Sequence, residues 1–430
     1  MVAEKSIPVD VAVVGGGPAG ISACLELSKS SDLDIALFES EGELGGIPRT
    51  THIYFGLRDL KRIYTGPAYA RKLSRLIRKM PVEIHNKATV LNVIPGNNGE
   101  PHQTKVVSPE GLHTYESRFV ILATGCYEAS REARRIPGSR PAGIFTAGPL
   151  NTIVNLQHLK PGKRALIIGS EHVAFSSALT LRSGKISIAG LVEEDPELHT
   201  YPIVAKGIGF YADFPVYRGT SVKRILGRKR VEAVELETAV TQKKFQIECD
   251  TVVVTGKFRP DASLIYNTLI EEDPFTLGPA VDMNLMTSVP NIFAAGNILR
   301  GAEMHDLCAL EGKQVAQRIL SIIDSRAYET DEVISLRAEY PIRYVVPQKI
   351  CPAKIKSHLF SWPFPGFEIQ VTHTLRNHAL EAWSGNEIVY KRLFKRLIAN
   401  TRIPLRVDKF EWHRVDAKKG ITIKLDPVME

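Results

Sequence analysis

Cysteine is scarce in this sequence and is never closely paired. The chain has 430 residues and five cysteines, none of them in a C-x-x-C pair: Cys24, Cys126, Cys249, Cys308 and Cys351. This spacing argues against a disulfide framework, a zinc site and an iron–sulfur cluster of the chain's own. We therefore predict reduced thiols in the core and no metal site.

Long hydrophobic runs are lacking as well. The apolar segments fall far short of the about 20 residues that a membrane-spanning helix needs. The first five residues, MVAEK, lack the apolar core of a secretory signal. We expect no integral membrane segment and a cytoplasmic location.

The charge is not strongly of one sign. The net charge is +8, and lysine and arginine occur along the whole chain, so nucleic-acid binding is not indicated. An acidic partner or an anionic substrate remains open. With 44% hydrophobic and 24% charged residues, the chain has material for two or three packed cores.

A nucleotide-binding βαβ unit opens the chain. The apolar strand at residues 10–14 runs into G-x-G-x-x-G, in the order Gly15, Gly16, Gly17, Pro18, Ala19, Gly20. The first glycine permits the strand-to-helix turn, the second lets the backbone approach a pyrophosphate, and the third lets the helix pack on the strand. A second apolar strand ends at Glu39, where a carboxylate can bind an adenosine ribose.

Later segments complete the predicted cofactor site. Gly45 and Gly46 let the backbone pass close to a cofactor, and a buried strand ends in Ala123, Thr124 and Gly125. A further buried strand at residues 292–295 leads to Gly296 and Asn297, whose amide can reach a ribityl hydroxyl. If the cofactor is a flavin, a helix over residues 306–322 would point its positive end at the pyrimidine edge of the flavin ring.

A second βαβ unit repeats this spacing without the second and third glycines. A strand at 164–169, a helix at 173–181 and a strand at 186–191 place Glu193 or Glu194 at the ribose position. Glu171 replaces the second glycine and Ala174 the third. A carboxylate facing a pyrophosphate costs about 4 kcal/mol at close range. We predict a nicotinamide-type domain that has kept its fold and lost its ligand.

The segment after the glycine pair is polar and basic. Arg49 and His52 are predicted to orient an anionic substrate group or to modulate the charge of a flavin, and Arg49 also counts among the cofactor-binding residues. Tyr54, Arg58 and Arg62 extend the segment. A solvated loop and helix face explain any one of these residues equally well.

The predicted fold class is α/β, with FAD and NAD(P)-like Rossmann domains and a small β-rich C-terminal domain. The first domain takes residues 1–150 and 281–330, the second 151–280 and the last 331–430. An antiparallel insert is expected at 89–107, turning at Asn98 and Gly99. In the last domain strands are expected at 340–347, 367–371 and 421–425, with a turn at Gly385 and Asn386, and Trp362, Trp383 and Trp412 are available for a core.

These motifs together resemble the two-dinucleotide-domain FAD flavoproteins of the pyridine nucleotide-disulfide oxidoreductase superfamily. Residues 45–49 (GGIPR), 65–71 (TGPAYAR), 136–143 (IPGSRPAG) and 293–297 (FAAGN) resemble one branch, up to about residue 325. That branch contains the large subunit of opine oxidase, the B subunit of hydrogen cyanide synthase, and flavin subunits of proline and sarcosine dehydrogenases. The resemblance implies FAD, redox chemistry, a second dehydrogenase-type flavoprotein and a small iron–sulfur protein.

Three functions follow from this sequence. The first is an FAD-dependent dehydrogenase or electron-transfer subunit of a complex that oxidises a small amino acid, an opine, or a hydroxy acid or glycerol-3-phosphate type of substrate. The second is a stand-alone NAD(P)H-dependent flavin reductase or oxidase. Glu171 opposes it, and so do residues 47–52 (IPRTTH), which hold no sulfur where disulfide reductases carry a redox cysteine pair. The third is a flavin-binding structural subunit.

Overall fold

A computed structural model describes residues 6–30, 32–97, 99–200, 213–325, 333–351 and 366–428. It confirms the predicted α/β class, with two Rossmann-like regions and a β-rich C-terminal region. None of the helices in the described ranges is both long and apolar enough to cross a membrane.

The first region is built on a mostly parallel sheet. Its elements are β1 (Ile7–Val14), α1 (Pro18–Leu27), β2 (Ile35–Glu39), β3 (Tyr54–Phe55), β4 (Tyr64–Thr65), α2 (Gly66–Ile77), β5 (Glu83–Asn86), β6 (Thr89–Ile94), β7 (His102–Ser108), β8 (Gly111–Leu122) and β9 (Cys126–Glu128). The sheet order is β5-β2-β1-β8-β7-β6. β6 and β7 form the predicted antiparallel insert, although Asn98 of its turn lies outside the described residues.

The second region carries a smaller parallel sheet and an antiparallel layer. Its elements are β10 (Ile144–Thr146), α3 (Ala147–Asn151), β11 (Arg164–Ile168), α4 (His172–Ser183), β12 (Ser187–Val192), β13 (Val216–Tyr217), β14 (Thr220–Leu226), β15 (Ala233–Thr238), β16 (Lys244–Glu248), β17 (Thr251–Val254) and β18 (Phe258–Pro260). The parallel order is β10-β17-β11-β12-β13. β10 therefore already belongs to this sheet, a few residues before the predicted boundary at 150.

The chain then returns to the first sheet. β19 (Ile292–Ala294) pairs in parallel with β8, and α5 (His305–Ser325) follows. Helices α1 and α5 pack against each other at Gly312, where an added Cβ would overlap the backbone of Ala19. This close approach brings the N-terminal ends of both helices to one edge of the sheet.

The last region contains two antiparallel-rich sheets. Its strands are β20 (Ile334–Ala338), β21 (Ile342–Val346), β22 (Lys349–Ile350), β23 (Gly366–Val371), β24 (Leu375–Ser384), β25 (Glu387–Leu397), β26 (Ile403–Arg406) and β27 (Ile421–Pro427). The predicted turn at Gly385 joins β24 to β25. Aliphatic side chains and Phe367 fill the core. Trp383 is half-buried. Trp412 packs partly buried on the core, and Trp362 lies outside the described residues.

The last region contacts both nucleotide-type regions. Buried Glu368 of β23 lies 2.5 Å from Nε of Arg300, which follows β19, and it also pairs with Arg402. Arg376 and Arg396 each lie 2.6 Å from the carboxylate of Glu197 in the second region. The C-terminal region therefore bridges the other two.

Candidate cofactor site

A cavity of about 310 Å³ lies at the carboxyl edge of the first sheet. Carboxyl edges of parallel strands are the usual place for nucleotide binding. The predicted cofactor residues on its walls are Gly15, Gly17, Pro18, Ala19, Glu39, Gly46, Ala123, Thr124, Gly125, Gly296 and Asn297. Elements that are almost 300 residues apart in sequence therefore meet around one space.

The glycine turn before α1 is shaped for close backbone approach. Gly15 has a φ of +108°, and an added Cβ would overlap the carbonyl of Ala123. Gly20 packs against the Gly15 carbonyl and does not line the cavity. An added Cβ at Gly17 would meet nothing within 4 Å. It would point into the space where a phosphate can approach the turn.

The N-terminal end of α1 is open to an anion. Gly17 is its N-cap, with no side-chain hydrogen bond to the cap and no acidic residue in the first turn. Unpaired N–H groups and the positive end of the helix dipole together favour a phosphate. This end of the helix borders the cavity through Pro18 and Ala19.

Glu39 ends β2 at the cavity wall, and its side chain is held in place. The buried carboxylate accepts a hydrogen bond from the Gly16 N–H at 2.9 Å and another from the Glu41 N–H at 2.7 Å. Two backbone donors hold one orientation of the carboxylate. The fixed carboxylate meets the requirement for hydrogen bonding to ribose hydroxyls.

The opposite end of the cavity is formed by Asn297 and the first turn of α5. The Oδ1 atom of Asn297 accepts hydrogen bonds from the Glu303 N–H at 2.9 Å and from the Cys308 Sγ at 3.2 Å. His305 lines the same end, and burial lowers its pKa to about 4. At neutral pH this ring is uncharged.

Several cavity residues were missed at the sequence level. Cys126 and Cys308 both line the cavity, although they were predicted only as core thiols. Burial raises the pKa of Cys126 to about 12 and that of Cys308 well above its usual value. Both are therefore thiols and not thiolates at neutral pH. The position of Cys126 directly after Gly125 was a usable signal for this placement.

Asp261 also lines the cavity, and no sequence pattern predicted its position there. Its N–H donates to the Gly125 carbonyl at 2.9 Å, and its carbonyl accepts from the Thr124 hydroxyl at 2.7 Å. These bonds join the end of the second region to the end of β8. The contact depends on tertiary structure, because the two segments are 137 residues apart.

Arg49, His52 and Gly45 lie outside the cavity lining. The guanidinium of Arg49 donates to the Glu43 carbonyl at 3.1 Å and lies 3.4 Å from the Glu43 carboxylate. His52 lies 3.4 Å from the Ser183 hydroxyl, at the end of α4. Gly45 supports the glycine turn by donating to the Gly16 carbonyl at 2.8 Å. The structure thus places Arg49 and His52 beside the site and not on its walls.

Residues 50–52 of the segment after the glycine pair contact the second region. The Thr51 hydroxyl lies 3.0 Å from that of Ser176 on α4, and Asn155 donates to the Thr50 carbonyl at 2.6 Å. These contacts tie residues 50 and 51 to the second region. They bring His52 to the end of α4, beside Ser183.

The turn before α4 differs from the turn before α1 at the N-cap of the helix. Glu171 is the N-cap of α4, where α1 has Gly17. Its carboxylate accepts from the Thr255 hydroxyl at 3.1 Å and covers Gly256 and Gly169. The Glu171 side chain therefore occupies space at this turn, whereas the corresponding turn at Gly17 is open. Glu193 is buried at the ribose position and bonded to Ser170, whereas Glu194 is exposed.

The donor set of the first cavity fits FAD. An uncapped helix end matches a pyrophosphate, the fixed Glu39 carboxylate matches a ribose, and the first turn of α5 lies at the opposite end. FAD would supply hydride and electron transfer at its flavin ring.

Comparison with known proteins agrees with this fit. Residues 9–317 match the sequence model of a family described as pyridine nucleotide-disulphide oxidoreductase. The F subunit of alkyl hydroperoxide reductase from Pseudomonas putida is 24% identical over 67% of this chain and 53% of its own length. The A subunit of opine oxidase from Agrobacterium tumefaciens is 26% identical over 67% of this chain and 61% of its own. The chain thus spans about half the length of the first relative.

A solved structure gives the same fold. Thioredoxin reductase of T. acidophilum superposes with a TM-score of 0.63 at 20% identity. The match covers 74% of this chain and 99% of that one. The remaining quarter of this chain lies beyond the shared fold.

Proposed function

Because this chain belongs to the pyridine nucleotide-disulphide oxidoreductase family, whose members are FAD-dependent oxidoreductases, we propose that it is the FAD-bearing dehydrogenase or electron-transfer subunit of a multi-subunit complex. Its substrate class is a small amino acid, an opine, or a hydroxy acid or glycerol-3-phosphate type of molecule. The observation that carries the proposal is the contrast between the two glycine turns. One is open at Gly17 and the other is filled by Glu171.

The contrast favours a complex over a self-contained reductase. A nicotinamide dinucleotide needs the turn before α4, and the Glu171 carboxylate opposes its phosphates. The similar opine oxidase protein is named as one subunit of its enzyme. The reductase alternative is supported by the similarity to the fold of thioredoxin reductase. The alternative of a structural subunit requires a bound cofactor that is never reduced or oxidised.

The expected partners are a second dehydrogenase-type flavoprotein and a small iron–sulfur protein. The chain offers no C-x-x-C pair of its own for a cluster, which supports a separate carrier. The cytoplasmic location stays a prediction. The proposal is tested by isolating the tagged chain from its native host and recording visible spectra as candidate substrates are added without oxygen. Bleaching of the flavin by one substrate class supports it. An isolated chain with no partner, reduced only by NADH or NADPH, contradicts it.

We expect the isolated chain to react poorly with NADH and NADPH. Replacing Glu171 by glycine removes the carboxylate from the turn and should raise the rate of flavin bleaching at low nucleotide by about tenfold to a thousandfold, since like-charge repulsion at close range is worth up to about 4 kcal/mol. Glu194→Gly is the matched control, because Glu194 is exposed and carries the same charge. Anaerobic stopped-flow absorbance measures both rates. Rapid bleaching of the unmodified chain at micromolar nucleotide would promote the reductase alternative.

Arg49→Ala tests the predicted role of the basic segment. If its cation orients an anionic substrate group or modulates the charge of the flavin, turnover of the assembled complex should fall more than FAD content does. The guanidinium lies outside the cavity lining, so its loss should not open the pyrophosphate turn. Glu43→Ala removes the same ion pair but keeps the cation. Equal turnover in Arg49→Ala would assign the residue to structure alone.

A further inference from the structure

The net positive charge of the chain is concentrated in one segment. Residues 60–80 contain seven lysines and arginines and no aspartate or glutamate: Lys61, Arg62, Arg71, Lys72, Arg75, Arg78 and Lys79. The segment therefore accounts for seven of the eight net charges of the chain. Basic residues occur throughout the sequence, but elsewhere acidic residues nearly balance them.

Helix α2 presents much of this charge to solvent. Tyr69, Leu73 and Ile77 form its buried face, while Arg71, Arg75, Arg78 and Lys79 are exposed at or just beyond the helix. These positions recur every three to four residues and so lie along one stripe. Within the described part of the chain no carboxylate forms an ion pair with them. Side chains of one charge on one stripe repel each other unless a partner neutralises them.

The hairpin β3–β4 stands beside α2 and exposes large apolar side chains. Tyr54, Leu57 and Ile63 are 61%, 59% and 65% exposed, next to the exposed cations Lys61 and Arg62. Three such side chains within ten residues form an apolar patch with a basic rim. Aromatic and aliphatic side chains combined with arginine are typical of protein–protein interfaces.

This surface lies at the end of the cavity that α5 borders. Arg58 of the hairpin pairs with buried Asp306 at 3.1 Å, and the ring of Phe55 packs 4.8 Å from that of His305, which lines the cavity. Ile47, at the cavity wall, is 43% exposed. A protein seated on the hairpin would approach the flavin end of the cofactor site.

We propose that hairpin β3–β4 and the exposed stripe of α2 form the docking surface for an acidic electron-transfer protein. This inference rests on the proposed function and names where its partner binds. Each acceptor molecule takes one electron. Two acceptor molecules therefore reoxidise one reduced flavin, whose protons pass to solvent. Opposite charges steer such encounters and raise association rates by about 10 to 1,000-fold at low salt.

The test uses the full FAD-loaded chain, reduced photochemically without oxygen. Its reoxidation is followed with an acidic b-type cytochrome, with a basic c-type cytochrome and with neutral benzoquinone. The docking variant is Arg71→Glu with Arg75→Glu. The matched control is Arg228→Glu with Lys229→Glu, an equal charge change on exposed residues of the β14–β15 turn.

We expect the unmodified chain and the control to reduce the acidic cytochrome rapidly, with a rate that falls about tenfold between low salt and about 0.3 M salt, where charges are largely screened. In the docking variant the rate of cytochrome reduction at low salt should fall by at least about tenfold, and most of its salt dependence should disappear. Benzoquinone should oxidise all three chains at equal rates. Equal rates in the docking variant, or a preference for the basic cytochrome, overturn the docking surface.

A lipid surface and a failure of the proposed function would each give a distinct result. The unmodified chain could instead co-sediment with phosphatidylglycerol vesicles. If the docking variant abolishes this binding and leaves electron transfer to the acidic cytochrome unchanged, the proposal is overturned in favour of a lipid-binding surface. Failure of benzoquinone to reoxidise the reduced flavin indicates instead that the proposed function is wrong.

Discussion

Gly17→Val should yield a folded but colourless protein. Gly17 has a φ of −79° and a ψ of −175°, an extended conformation that valine adopts readily. An added Cβ meets no protein atom within 4 Å, so the protein itself tolerates the change. The new side chain stands where the pyrophosphate must approach. We expect FAD affinity to fall by at least about a hundredfold, or about 2.7 kcal/mol.

Flavin content per chain and the circular dichroism spectrum measure the two effects separately. Gly42→Val is the matched control, because Gly42 is exposed and does not line the cavity, and an added Cβ there would have Lys87 as its neighbour at 3.8 Å, an ordinary contact distance. This variant should stay yellow. A yellow Gly17→Val protein with normal flavin content would contradict the placement of the pyrophosphate on this turn.

Glu368→Ala should destabilise the chain by about 3–5 kcal/mol, the usual cost of removing one partner from a buried ion pair. The Glu368 carboxylate is fully buried between Arg300 and Arg402. The Arg300 side chain is itself 1% exposed, and among the described residues Glu311 is the ion-pair partner that remains in the variant. Burial also lowers the pKa of Arg402, to about 10. Loss of the carboxylate leaves two desolvated cations near each other.

Urea unfolding measures this effect, with limited proteolysis to show which part of the chain opens first. Glu387→Ala is the control in the same region, since Glu387 is exposed and pairs with the partly exposed Arg414 at 2.8 Å, and such surface pairs contribute about 0–1 kcal/mol. Equal losses of unfolding free energy in both variants would show that the buried ion pairs of Glu368 are not what holds the C-terminal region in place.

The same network reaches the cofactor cavity. Glu311 pairs with Arg300 through one oxygen and accepts from the Gly296 N–H at 2.8 Å through the other. Gly296 lines the cavity. Weakened flavin binding in Glu368→Ala would therefore accompany the loss of stability. These contacts link the C-terminal region to the cavity wall.

Local patterns predicted much of the fold. The strand at Ile7–Val14, the helix that starts at Pro18 and the last helix at His305–Ser325 all agree with their sequence signals. Hydrophobic periodicity and glycine turns act over a few residues, so they can be recognised without an alignment. The same patterns did not show how deeply Trp383 and Trp412 are buried, because composition does not specify which side of a strand faces inward.

The sequence by itself determined the nucleotide turn at Gly15 to Gly20, the acid at Glu39 and the carboxylate at Glu171, since the chemistry of each depends on its own residue and nearest neighbours. Only the tertiary structure decided that Asp261 and His305 share one cavity and that Arg49 and His52 lie beside it. It also decided that Glu368 holds Arg300. These outcomes depend on the packing of segments that are distant in sequence, which no local pattern encodes.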